Sequence, residues 1–319
     1  MELIHEIDNI KTILDSGNNL FVLTTRLSTN SDYIVIDPQY SIFRKRNYVY
    51  IYRDSIIKIF NENSKRFDIE YEDCFSISPS YCAGNQFLLY QKTNKIVHEV
   101  SNFEIVRSFA LANSVSFYFD TKFISISGES YTDLNKVACY MIDSSNIPLW
   151  QFELPEGFKI FWQAQVVEDV LFFTADNNQT RESKTIALDI HTGKQLWELS
   201  KTIAYQVNTD NGLLYGYSAR VYRVVNPKNG ELLQDKSMLN FFDKGVCPYS
   251  FNNTIGGNRL WFVSGRGEKT KFGAINIETS EMEFVQDYPL DEDFQFSKPI
   301  YHNNKLYLLD SNKILRVFE

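Results

Sequence analysis

Cysteine is too sparse in this sequence to build a framework. The four residues Cys74, Cys82, Cys139 and Cys247 show no CxxC pair and no dense spacing, which argues against zinc and redox arrangements and leaves buried free thiols as the reading. Basic charge is also short: 32 Lys and Arg against 40 Asp and Glu give a formal net charge of −8 and a pI near 5.2. A nucleic-acid binder normally offsets phosphate charge with a basic face, so that class is set aside. An acidic surface suits solubility or a basic partner. No stretch approaches the ~18 apolar residues of a membrane span. The opening "MELIHEIDNIKTILDSG" scatters acids among its apolar residues and lacks the basic region and apolar run of a signal peptide, so a cytoplasmic location is expected.

Catalytic signatures are missing as well. There is no GxSxG and no glycine-rich phosphate loop; "SGRGEK" around Gly265 and Gly267 reads as a hairpin loop. His5, His98, His191 and His302 are scattered without HExxH or HxH spacing and read as surface or turn residues. The sialidase-type Ser-x-Asp-x-Gly-x-x-Trp box is absent. These absences lead us to expect no catalytic residue, no metal and no cofactor, although carboxylates from distant segments could still converge in space.

What the sequence does have is strands. Hydrophobic residues make up 44% and aromatics 15%, with 25 Phe and 19 Tyr, a composition that folds and that favours β-structure. In "TIALDIHTGKQLWEL", residues 185–199, Ile186, Leu188 and Ile190 alternate at period two. His191, Thr192 and Gly193 then reverse the chain, and Leu196 and Trp197 begin a returning strand. The same strand-turn-strand unit recurs in "ACYMIDSSNIPLWQFEL", "VYRVVNPKNGELLQDK" and "GAINIETSEMEFVQ". An aromatic-rich strand precedes each, and seven such strands start near residues 48, 86, 122, 170, 213, 259 and 305. Their spacings of 38, 36, 48, 43, 46 and 46 match the ~40 to 50 residues of a four-stranded propeller blade. A sandwich needs no such period and a β-helix repeats at a shorter one.

The expected architecture is therefore all-β, a single closed β-propeller spanning 1–319. Seven four-stranded blades are favoured, and eight is the alternative if the first 47 residues form a blade of their own. The last unit, "KLYLLDSNKILRVFE", stops after two strands, so residues 1–37 are expected to supply a closing strand; "LFVLTTR" and "YIVID" are strand-like runs there. Apolar residues at 3, 7, 10 and 14 also fit a short helix capping the ring.

"ALDIHTGKQLWEL" resembles the repeat of the quinoprotein-like β-propellers, with its Ala-Leu-Asp strand, Thr-Gly-Lys turn and Leu-Trp strand. The match is close over 187–197, and "VVNPKNGELL" and "MIDSSNIPLW" keep fragments of it. The resemblance implies the propeller scaffold. Within that family stand quinone-dependent dehydrogenases, an outer-membrane assembly lipoprotein and small propellers that only bind proteins. The quinone enzymes carry adjacent cysteines over the cofactor, and this sequence has no Cys-Cys pair; the lipoprotein needs a cysteine near its start, and the first here is Cys74.

Three stretches are candidate interaction sites. "ETSEMEFVQDYPLDEDFQF", 278–296, carries seven carboxylates and no Lys or Arg. It reads either as a solvated outer strand and loop or as a docking surface for a basic protein, with Asp287, Tyr288, Asp291, Glu292, Asp293 and Phe294 as the contacts. "PEGFKIFWQ" offers Phe161 and Trp162, either as packing between blades or as interface anchors. "FRKRN", 43–47, is a turn between inner and second strands or a basic lining of the axial channel able to attract an anion. A rigid face of loops binds without catalytic groups, so the expected function is a non-enzymatic, cytoplasmic, monomeric protein-binding module, an immunity-type protein that sequesters a toxin or other basic partner. The alternative is a hydrolase or lyase acting on a carbohydrate at the axial channel, which calls for a carboxylate cluster there.

Overall fold

The seven aromatic-rich strands that set the repeat are the second strands of seven blades: Tyr48–Arg53, Gln86–Gln91, Lys122–Gly128, Val170–Asn177, Leu214–Ser218, Arg259–Ser264 and Lys305–Leu309. They are seen in a computed structural model that describes the chain except residues 16–18, 25–33, 46–47, 62–63, 80–85, 92–95, 111–115, 120, 129–133, 143, 162–163, 201–202 and 219. An eighth blade precedes them, so the eight-bladed alternative holds. Its sheet is Ile10–Asp15, Leu20–Thr24 and Ile34–Ile36, the last strand running parallel to its neighbour. Only 28 residues separate Leu20 from Tyr48, which is why a period near 40 passes over this blade. Blades 2 to 7 then occupy 41–71, 74–110, 117–153, 159–200, 206–237 and 248–287.

Blade 8 is built from both ends of the chain. Ile300–His302, Lys305–Leu309 and Leu315–Phe318 are joined by Leu3–Ile7, which pairs antiparallel with Leu315–Phe318 as the outer strand. The N-terminal strand thus closes the ring, as expected, but it comes from the segment that also fitted a helix. That segment is two strands, Leu3–Ile7 and Ile10–Asp15, parted at Asn9 with φ +61°. A helix there would leave the edge of blade 8 unpaired, and strand pairing overrides the apolar spacing. "LFVLTTR" and "YIVID" contribute the strands of blade 1 instead.

The core lies between blades. Eight clusters of buried side chains each span two neighbouring blades, and the series runs round the ring from the 1/2 interface to the 8/1 interface. In Val170–Asn177, Leu171 and Phe173 face blade 4 while Val170 and Phe172 face blade 6. A strand buried on both faces reads as a continuous apolar run, which is what "VLFF" is.

Two of these interfaces share a further device. In blade 5, Asp189 Oδ1 accepts from the main-chain N–H groups of His191 and Thr192 at 3.0 and 2.8 Å, and Gly193 ends the turn at φ +68°. Burial alone would raise the Asp189 carboxyl, but these bonds and the Thr192 hydroxyl hold it below its usual range. The indole of Trp150, from blade 4, covers Gly193 and donates Nε1–H to Ile190 O at 3.2 Å. Blade 6 repeats the arrangement: Trp197 covers Gly230 and donates to Pro227 O at 2.6 Å. A Cβ on either glycine would overlap the indole, so glycine is required for contact as well as for its left-handed φ. Trp197 is 8% exposed, the buried interblade position expected of it.

The thiols divide. Cys74 and Cys139 are buried, each pushed up to about 11 by desolvation, but Cys247 is exposed, and Cys82 lies outside the described residues. His302 departs from the surface reading: it is buried, with Nδ1 3.1 Å from Asp15 Oδ1.

Candidate functional site

The fold sorts six of the seven carboxylates of 278–296 into two groups, while Glu278 borders a separate cleft on the opposite face. Glu281 meets Lys236 of blade 6 at 2.5 Å, Glu283 meets Arg259 at 2.5 Å, and Asp287 pairs with Lys271 directly opposite on the neighbouring strand. The Arg259 hydrogen bonds hold the Glu283 carboxyl low. These three acids belong to the solvated outer strand Met282–Asp287 and its turn, and cross-strand pairing relieves their mutual repulsion. Beyond Asp287 the chain leaves the blade and crosses the face that carries each outer-to-inner connection, here called the upper face. Asp291, Glu292 and Asp293 stand exposed there.

This crossing is pinned rather than loose. Tyr288 N–H donates to Thr270 O at 2.9 Å, Leu290 N–H to Gly267 O at 3.0 Å, and Gly267 N–H to Phe294 O at 2.7 Å. Leu290 and Phe296 are buried, and Tyr288 and Phe294 are half-buried against the core between blades 7 and 8. A cleft of about 210 Å³ opens beside them, bordered by Asp287, Tyr288, Asp291 and Phe294. Its remaining wall holds Arg316, which bonds Asp310 at 2.5 Å and Glu6 of the closing strand at 2.8 Å. The guanidinium lies 5.4 Å from the Tyr288 ring centroid, so cation and aromatic hold each other in place. One lining cation against the three lining carboxylates Asp287, Asp291 and Asp310 leaves the cleft acidic. Four of the expected contact residues thus meet in one cleft, with Glu292 and Asp293 on the same turn, while Arg316, Asp310 and Glu6 were not legible. Their positions depend on the ring being closed.

The second expected anchor lies on the same face. Phe161 follows Lys159–Ile160, the upper half of an inner strand that blade 5 breaks in two. It is 55% exposed, so it is not packed between blades, and its ring sits 5.8 Å from Phe251 of blade 7, across blade 6. Phe251 and Tyr249 belong to a bulge in the inner strand Pro248–Gly256, whose register slips between Pro248 and Asn253. Arg266 Nη2 lies 3.4 Å from the Tyr249 hydroxyl and feels the charge of Asp293. The Phe161–Phe251 and Tyr249–Arg266 contacts thus lead from the inner strand of blade 5 toward the acidic turn. Trp162 lies outside the described residues.

"FRKRN" is the end of the inner strand Ser41–Lys45 of blade 2 and its turn, with Arg46 and Asn47 outside the described residues. Arg44 Nη1 donates to Asp15 O at 2.7 Å. Among the described residues no group of three or more His, Cys, Asp and Glu is placed to hold a metal ion. A larger cleft, about 640 Å³, lies on the opposite face between blades 6 and 7. Its asparagines serve the turns: Asn208 Oδ1 accepts from Asp210 N–H and Asn211 Oδ1 from Leu213 N–H, each at 3.0 Å. In sequence these residues read only as a hairpin turn.

Neither a family profile nor any curated protein matches this sequence. Solved structures do match. BamB from Moraxella catarrhalis aligns at a TM-score of 0.52 and 11% identity over 99% of this chain and 96% of that one. The Swd1 propeller domain of Myceliophteria thermophila aligns at 0.50 and 10% identity over 98% and 99%. The dihydro-heme d1 dehydrogenase NirN, in complex with DHE, aligns at 0.51 and 11% identity over 96% of this chain and 71% of its own. These are quinoprotein-like and WD40-like propellers, and the likeness is one of fold.

Proposed function

We propose that this propeller is a non-enzymatic module that sequesters a basic protein, in the manner of an immunity protein bound to its toxin, through the upper face between Asp291–Asp293 and Phe161. One observation carries this reading: a pinned turn holds three exposed carboxylates beside an acidic cleft and half-buried aromatics. Rigid presentation lowers the ordering cost of association, carboxylates steer a basic partner in, and Tyr288, Phe294 and Phe161 supply apolar contact. The free cysteines at 74, 139 and 247 suit a reducing compartment, which favours the cytoplasm. A carbohydrate hydrolase or lyase would need paired carboxylates at the channel, whereas Arg44 brings a cation toward it.

The test is affinity purification from the host, followed by binding kinetics of the captured partner against wild type and an Asp291→Lys, Glu292→Lys, Asp293→Lys variant. A basic partner should bind wild type in fixed stoichiometry. The variant should associate more slowly, with less dependence on salt, and melt within a degree or two of wild type. Capture by the variant at the wild-type rate would rule this surface out.

A further inference from the structure

The cleft of about 640 Å³ on the face opposite the acidic turn is walled by turns of two blades, and both turns are fixed. In blade 6 the turn after Gln206–Val207 is tied by Asn208 N–H donating to Leu213 O at 2.9 Å and Gly212 N–H donating to Asn208 O at 2.8 Å. In blade 7 a two-residue reversal, Gly257 and Asn258 at φ +57° and +62°, stands against the Tyr301 ring of blade 8, and Ile277 N–H donates to Asn258 O at 3.2 Å. Ile255 and Ile277 pack on the core between blades 6 and 7, which makes the apolar wall of the cleft part of that core. The volume falls in the ~300 to 1,000 Å³ range of small-molecule sites.

The cleft presents uncommitted hydrogen-bonding groups, arranged by depth. Asn208 is only 4% exposed, yet it borders the cleft. Its Oδ1 is identified by the Asp210 N–H it accepts, so the remaining atom is Nδ2, and among the described residues nothing accepts from it. A buried amide nitrogen without a partner costs stability, and a ligand oxygen would relieve that cost. Tyr215, also 4% exposed, accepts from Asn211 Nδ2 at 3.0 Å, which leaves its own hydroxyl proton to donate. Asp210 and Glu278 are exposed at the rim, and among the described residues neither carboxylate has a hydrogen-bond or ion-pair partner. Among the described residues no Lys, Arg or His lines the cleft.

Donors at depth and acceptors at the rim select a group that can serve both. An organic cation offers only donors and would leave Asn208 Nδ2 unmet; an anion offers only acceptors and would face two carboxylates. A hydroxyl accepts through its oxygen and donates through its hydrogen, and its bonds to carboxylate are of the stronger, charge-assisted kind. The C–H face of a sugar ring also suits the isoleucine wall. We infer that this cleft binds a neutral mono- or disaccharide, whose hydroxyls accept from Asn208 and Tyr215 and donate to Asp210 and Glu278. The site lies on the face away from the surface proposed for the protein partner, so either can fail without the other.

Calorimetric titration of the intact chain with glucose, galactose, mannose, N-acetylglucosamine, maltose and cellobiose, and with spermidine as the cation, tests this. At least one sugar should bind at a single saturable site. Asn208→Asp keeps the acceptor for Asp210 N–H and replaces only the donor, so it should melt near wild type and bind that sugar at least tenfold more weakly. Glu278→Gln changes an exposed turn position that the fold does not depend on, and it should bind at least threefold more weakly. No saturable binding by any of these sugars, or wild-type sugar affinity in either variant, would overturn the site. Spermidine binding that Glu278→Gln abolishes, with no sugar bound, would overturn it in favour of a cation.

Discussion

Residues 151–319 hold eleven of the fourteen glycines and residues 1–150 only three; no tryptophan occurs before Trp150. Yet both halves build the same kind of blade. Blades 5, 6 and 7 turn between third and fourth strands with an Asp or Asn accepting main-chain N–H groups, closing on Gly193, Gly230 or Ser280 in the left-handed region. Blade 3 instead makes this turn as a two-residue reversal with both residues at positive φ and no glycine, Asn102 and Phe103 at +51° and +67°, and blade 2 uses the same kind of reversal between its second and third strands, at Asp54 and Ser55, +51° and +69°. Where the second half locks blade to blade with an indole on a glycine, the first half packs Tyr48, Phe87 and Phe103 ring against ring. One fold is thus reached by two turn chemistries, and only one of them has a recognisable sequence signature.

The two halves are joined at the 4/5 interface and at blade 8, and breaking the second junction should have the largest effect. Deleting residues 1–7 removes the outer strand of blade 8 and the Glu6 partner of buried Arg316. The edge of Leu315–Phe318 would then be open and the Arg316 charge short of a partner, so we expect no cooperative melting transition by circular dichroism. A truncated chain that melts at the wild-type temperature would show that closure does not depend on this strand.

Within the second half, Trp197→Ala should cost about 3 to 5 kcal/mol in urea unfolding, as removal of a buried indole generally does. Gly230→Ala should cost less in that background than in wild type, because the indole its Cβ would strike is gone and only the φ of +72° remains to oppose it. Equal costs in the two backgrounds would mean that the indole and the glycine are not coupled.

The difference between the halves also explains what was readable. The "LDIHTGKQLW" signature declares the Asx turn, the left-handed glycine and the indole at once, so the hairpins of blades 4 to 7 were legible and Trp197 could be placed between blades. Blade 1 was not, since its three strands fit into less than a full period and the apolar spacing at 3, 7, 10 and 14, which spans the outer strand of blade 8 and the first strand of blade 1, fits a helix as well as two short strands. The candidate cleft was half legible. Tyr288, Asp291 and Phe294 are neighbours in sequence and line one cleft, but the ion pairs that neutralise Glu281 and Glu283 come from Lys236 and Arg259, and the cleft's cation comes from Arg316. No local pattern announces a partner that only blade stacking or ring closure delivers.

The smallest expected effect sharpens the comparison most, because its sign is unusual. At an ordinary strand position alanine stabilises over glycine by roughly 0.5 to 1 kcal/mol, since glycine loses more backbone freedom on folding. At Phe103 the backbone sits at φ +67°, where a Cβ costs about 1 to 2 kcal/mol. Phe103→Ala loses the ring contacts with Tyr48 and Phe87 while keeping that strain; Phe103→Gly loses the same contacts and is released from it. The glycine variant should therefore be the more stable of the two, by about 0.5 to 1 kcal/mol in urea unfolding, even though both fall below wild type. If alanine is instead the better replacement, the turn has relaxed away from the left-handed region, and the first half of the ring carries no strain that glycine in the second half avoids.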